Sequence, residues 1–114
     1  MRIINSENVI EKDDSAIVIF TRGGNTKLSH IGMSYTGEWT ISDDRSFEKV
    51  IIYYRLDEDN KNMIFKGNYV RREPSSEKGR VVVYMTDVEK VGETESNWSE
   101  FSGNQNNPIT YINC

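Results

Sequence analysis

Nucleophilic catalysis needs an oxygen or sulfur and a neighbour to activate it, and this chain is poor in both. Its only histidine is His30, and its only cysteine, Cys114, is the last residue. A thiolate–imidazole pair would need the chain end held still, where chains usually fray. No GxSxG elbow is present to seat a serine for His30. Carboxylates do come in pairs: Asp13 with Asp14, Asp43 with Asp44, Glu93 with Glu95. Each pair reads as part of a polar connection, without the burial that general acid–base chemistry requires. The stretch Asp57–Asn62 opens like a calcium loop, but Lys61 stands where an oxygen ligand belongs and Asn62 where the sharp turn wants glycine. The sequence therefore gives no reason to expect a catalytic residue, a metal or a cofactor.

Rings and cations remain. Tyr35, Trp39, Tyr53, Tyr54, Tyr69, Tyr84, Trp98, Phe101 and Tyr111 are interleaved with Arg45, Lys49, Arg55, Lys66, Arg71, Arg72 and Arg80. Aromatic faces stack on bases, and guanidinium groups contact phosphates and purine edges. The same rings would serve equally as the filling of a small β domain, with the basic residues facing water. Two of them stand out. Trp39 follows a polar approach, Ser34–Glu38, as at the mouth of a strand. Trp98 and Phe101 are three apart in a tail otherwise rich in Ser, Asn, Glu and Gly, so in a short helical turn capped by Thr94 or Ser96 they share one face. The candidate ligand-binding set is Tyr35, Trp39, Asn97, Trp98, Phe101 and Arg55.

Those residues must be positioned by extended segments. Ser15–Arg22 is a run of β-branched and aromatic residues, followed by the turn glycines Gly23 and Gly24. Residues 26–35 fit neither period. Gly37–Ser42 alternates Trp39 and Ile41 with polar neighbours. Lys49–Leu56 places Val50, Ile52, Tyr54 and Leu56 on one face, and Met63–Val70 makes a hairpin with it across a long polar loop. After a connection bounded by Pro74 and Gly79 comes a strand from Arg80, apolar on both faces and so expected at a central, doubly buried position. Pro108–Ile112 is a last strand. Only Asn8–Asp14 and Ser96–Phe101 look helical. The expected architecture is mainly β: a small single-domain β-barrel, or a strongly curved antiparallel sheet, with one or two short helices. Residues 1–114 are taken as one domain, with 1–14 a less ordered lead-in.

The bulk numbers suit that picture. The chain has 114 residues, of which 36% are hydrophobic, 11% aromatic and 28% charged, enough for one modest core. A net charge of −4 argues against a sequence-independent grip on duplex DNA, which a basic surface normally supplies. One terminal cysteine excludes an intrachain disulfide and suits a reducing compartment. The N-terminus lacks a signal-peptide pattern, and no apolar run is long enough to span a bilayer. The expected location is the cytoplasm.

From Gly37 to Ile112, the strand order, a mid-chain strand rich in Tyr and a strand entering Gly67-Asn68-Tyr69 resemble small PUA-like β-barrel domains, the group that includes EVE and YTH readers. The resemblance implies binding of a modified base through an aromatic cage, in a bacterial or phage defence setting. The opening Trp-containing strand of that group has no counterpart here. The first expectation is therefore a non-enzymatic reader of a base or nucleotide in nucleic acid. The second is an acidic protein-binding module, such as an inhibitor, immunity protein or phage accessory factor.

Overall fold

The computed structural model describes residues 15–21, 26–29, 31–41, 46–56, 61–94 and 109–112. Among them every regular element is a strand: β1 (Ala16–Thr21), β2 (Thr26–Lys27), β3 (Ser34–Trp39), β4 (Lys49–Leu56), β5 (Lys61–Pro74), β6 (Val81–Thr94) and β7 (Ile109–Ile112). The two segments that read as helical, and the lead-in 1–14, lie outside the described residues. No helix among the described residues is long and apolar enough to cross a membrane.

The seven strands form one sheet in the order β2-β3-β6-β5-β4-β1-β7. β4, β5 and β6 are a meander of antiparallel neighbours, joined by β3 on one side. β7 closes the other side, antiparallel to β1. The exception is β1, which runs parallel to β4 in the register Ile17↔Val50 and Ile19↔Ile52. A parallel pair needs a crossover. Here the crossover carries β2 and β3 to the far edge of the sheet before the chain returns to β4. The sheet is thus mixed, not purely antiparallel. It is also open, since no described pairing joins β2 to β7.

The sheet is strongly bent. β5 and β6 have 14 residues each. Straight, each would run roughly 43 Å at about 3.3 Å per residue, which exceeds the longest molecular extent of 36 Å. The bending occurs at register shifts between β5 and β6, next to Ile64/Phe65, Lys66/Asn68 and Tyr69/Arg71. Each admits one extra residue into a strand, which kinks it and increases its twist. Extended strand also continues further than the residue pattern suggests. Glu93, expected in a connection, belongs to β6 and bonds Lys90 at 3.0 Å.

The bent sheet buries both of its faces over β1 and β4. On the inner face, Ile17, Ile19, Val50, Ile52, Val83, Met85 and Val88 form one core with Ile41, Phe47 and Ile109. On the outer face, Ala16, Val18, Phe20, Ile51, Tyr53 and Ile64 form a second. Every residue of β1 is buried. Double burial therefore falls on β1 and β4. On β6 the inward Val83 and Met85 are buried, whereas Val82 and Tyr84 are only half-buried. A parallel pair near the middle of a sheet is the usual place for such uninterrupted apolar runs.

Asp87 marks one of the bulges with φ of +55°. Left-handed backbone costs an L-residue about 1–2 kcal/mol, least for Asp and Asn, and costs glycine almost nothing. Asp87→Ala and Asp87→Gly lose the same carboxylate. Asp87→Ala should nevertheless be less stable than Asp87→Gly, by about 1 kcal/mol in urea unfolding. Equal stabilities would mean that the bulge relaxes out of the left-handed region.

Candidate functional site

The outer face of the sheet changes character beyond the second core. Where β3, β6 and β5 lie side by side, Tyr35 pairs with Tyr84, and Tyr84 with Arg71. The ring centroids of Tyr35 and Tyr84 are 6.2 Å apart, tilted by 48°. The Arg71 guanidinium lies over the Tyr84 ring, 4.4 Å from its centroid, within the range of cation–π attraction. Arg71 is steadied by Glu73, Nε donating to Oε2 at 2.8 Å. Both side chains are about half exposed, so that ion pair orients the guanidinium more than it stabilises the fold. Tyr35 is exposed.

The row exists because of a bulge. Tyr69 turns inward, its ring 4.7 Å from that of Phe47. Strict alternation would then send Val70 out and Arg71 in. The extra residue Val70 returns Arg71 to the outer face beside Tyr84. Arg72 takes the inward place, its guanidinium 5.5 Å from the Phe47 ring.

Beside the row is an open cleft of about 320 Å³, lined by Tyr35, Glu38, Pro74, Ser75, Ser76, Val82 and Tyr84. That volume is at the small end of the range for small-ligand sites. Its wall is the turn joining β5 to β6, and that turn is well tied. Ser75 N donates to Arg80 O at 3.0 Å and Arg80 N to Glu77 O at 3.1 Å. Glu77 N donates to both Ser75 Oγ at 3.0 Å and Glu38 Oε2 at 3.3 Å. Arg80 Nη1 donates to the Glu38 carbonyl at 3.3 Å. Gly79, at φ +81°, supplies the left-handed residue of the turn. Around the cleft, Arg71, Lys78 and Arg80 stand against Glu38, Glu73 and Glu77, so its charge is balanced, and Arg72 faces the other way.

A second, larger cleft of about 610 Å³ follows on the same face, lined by Lys49, Lys66, Gly67, Asn68, Asp87, Glu89 and Val91. Across it runs a hydrogen-bonded chain from three strands. Lys49 Nζ donates to Asn68 Oδ1 at 2.6 Å, and Asn68 Nδ2 to Asp87 Oδ2 at 3.2 Å. Among the described residues, no group of three His, Cys, Asp or Glu side chains is arranged to hold a metal ion.

The residues singled out from the sequence separate. Tyr35 lies in the aromatic row. Trp39 does not: a register shift between Thr36 and Trp39 turns its indole to the inner face, half-buried against the first core. Its Nε1 donates to Thr36 Oγ1 at 3.1 Å, and that hydroxyl bonds Thr26 Oγ1 at 2.8 Å. Tyr35 and Trp39 therefore do not share a pocket mouth. Arg55 pairs with Asn62, nine residues up β5 from Arg71, or roughly 30 Å of strand. Asn97, Trp98 and Phe101 lie outside the described residues. Reading the sequence counts Tyr84 and Arg71 among the rings and arginines but cannot bring them together, because their meeting depends on a bulge. Reading the residues names Lys49 among the interleaved cations but does not join it to Asn68 and Asp87 in a polar chain. One signal for it was present: a glycine inside a strand, Gly67, often marks a bulge or a close approach of backbone. Comparison of the chain with protein-family models, with curated proteins and with solved structures returns no match.

Proposed function

We propose that this protein is a non-enzymatic binding module whose ligand is a nucleobase in a nucleotide or single-stranded nucleic acid, held on the outer face of its sheet. The observation that carries this reading is the row Tyr35–Tyr84–Arg71: an exposed ring, a second ring tilted against it at 6.2 Å and a guanidinium over that second ring. Sheet-borne aromatics of this kind stack bases without regard to sequence, while arginine supplies the contact to phosphate. The net acidity disfavours duplex DNA, whose affinity rests on many phosphate contacts. It leaves a short single strand, gripped by stacking beside Arg71, as the better fit. This keeps the ligand class implied by the PUA-like resemblance, and the reducing cytoplasm as its setting, but moves the site from Trp39 to Tyr35.

The test is fluorescence anisotropy with labelled single-stranded oligonucleotides at two salt concentrations. Tyr35→Ala should weaken binding by about 1–3 kcal/mol, the usual worth of one stacked base. Arg71→Ala should weaken it and flatten the salt dependence. Trp39→Phe, on the other face, should leave the affinity unchanged. Absence of saturable binding to every oligonucleotide and nucleotide would reject the reading. A second reading, docking of a protein partner, is favoured by the exposed Ile31, Met33 and Val70, the first two shortly before Tyr35 in the chain and the third next to Arg71. A stoichiometric protein partner whose binding is lost in Ile31→Ser, together with no nucleic-acid binding, would establish it.

A further inference from the structure

The larger cleft extends the proposed site, and the inference drawn from it rests on the nucleobase reading above. Both clefts open on the outer face. Asn68 precedes Arg71 by three residues on β5, and Asp87 follows Tyr84 by three on β6. Three residues of strand span about 10 Å, or about three stacked steps of a nucleic-acid strand at ~3.4 Å each. A strand with one base on Tyr35 and Tyr84, continuing along β5, enters the second cleft.

The cleft combines two chemistries that few ligands satisfy together. Lys49 and Lys66 are cations on β4 and β5. Asp87 and Glu89 are carboxylates on β6, flanking the inward-turned Val88. A bare phosphate would meet the lysines and be repelled by the acids. A uracil or thymine offers a single ring N–H flanked by two carbonyl oxygens, so one carboxylate could accept from it while the other would meet an acceptor. A nucleotide whose base carries an exocyclic amino group satisfies both sets. Its phosphate faces the lysines, and its amino hydrogens are donated to carboxylate, as Asp and Glu accept from N4 of cytosine. Asp87 is fixed by its left-handed backbone and by the hydrogen bond from Asn68, which is itself held by Lys49.

We infer that the cleft around Lys49, Asn68, Asp87 and Glu89 is a second base subsite that selects bases bearing an exocyclic amino group, cytosine over uracil in the simplest comparison. Loss of one good hydrogen-bonding match to a base edge changes affinity by about tenfold or more.

The probes are oligocytidylate and oligouridylate of equal length, titrated against the full chain. The oligocytidylate should bind about tenfold more tightly. The double variant Asp87→Asn, Glu89→Gln should bring the two affinities together. Asn tolerates the left-handed conformation as Asp does, and a thermal unfolding curve like that of the wild type confirms that the comparison is between folded proteins. Lys49→Met should weaken both ligands and reduce the slope of log K against log salt. Equal binding of the two oligonucleotides by the wild type, or a preference that survives the double variant, overturns the subsite while leaving the stacking row intact. Failure of both oligonucleotides and of every other single strand to bind overturns the subsite together with the stacking row.

Discussion

Ile19→Ala is expected to remove about 2–5 kcal/mol of stability, a large share of the 5–15 kcal/mol typical of a domain this size. Ile19 is fully buried in the inner core, between Ile52 of β4 and Ile109 of β7. The more informative result concerns its neighbour. Val18, on the opposite face, is also fully buried, within the outer core. Val18→Ala should therefore cost about 1.5–3 kcal/mol. On β6 the two faces should differ. Val83 is fully buried and should cost as much as Val18, but Val82 is half-buried beside the open cleft and should cost about 1 kcal/mol or less on truncation. Urea unfolding followed by circular dichroism measures all four. If Val18→Ala proved as mild as Val82→Ala, the outer core would not be a core in solution, and β1 would be buried on one side only.

Gly67→Ala should destabilise the fold by about 1–3 kcal/mol, the usual cost of forcing extra atoms into a packed interior. Elsewhere in a strand, Gly→Ala is neutral or helpful, because it reduces the entropy of the unfolded chain. Here a Cβ would stand 2.7 Å from Val88 Cγ2 and 3.1 Å from the Thr86 carbonyl oxygen. Val88 is 2% exposed and belongs to the inner core, so it has little room to move aside. The double variant Gly67→Ala, Val88→Ala tests the cause. If the Val88 contact dominates, the cost of Gly67→Ala falls in the Val88→Ala background, giving a coupling energy of 0.5 kcal/mol or more. Strict additivity would point to the Thr86 carbonyl instead. The change also probes the base subsite, because it shifts the β5–β6 bulge from which Asn68 and Asp87 project.

How much of this could be read from the residues depends on whether the signal was local. Lys49–Leu56 appears as the strand it is, with Val50, Ile52 and Tyr54 on one face, because a short run of β-branched and aromatic residues favours extended chain through its own neighbours. The connection from Pro74 to Gly79 was equally legible, since proline and glycine punctuate through their own backbone limits. The β-rich class follows from the same kind of evidence. Double burial, expected of β6, falls on β1, and the residues themselves carry the signal for it. Ala16–Thr21 is the more continuous apolar run, while Tyr84 and Thr86 interrupt β6.

Other features depend on which strands become neighbours. The parallel pairing of β1 with β4 joins segments that are far apart in the chain, and no local pattern encodes it. The aromatic row depends on one extra residue, Val70, which sets Arg71 beside Tyr84. A similar shift in β3 turns Trp39 inward while Tyr35 faces out. A side chain in a strand has only two faces to choose from, so a single inserted residue reverses the choice for everything after it. The residue types therefore determined that this chain would build a small β domain stocked with rings and cations. The tertiary structure alone decided which of them meet, because a bulge is set by pairing and packing across the sheet and leaves almost no trace in the order of the amino acids.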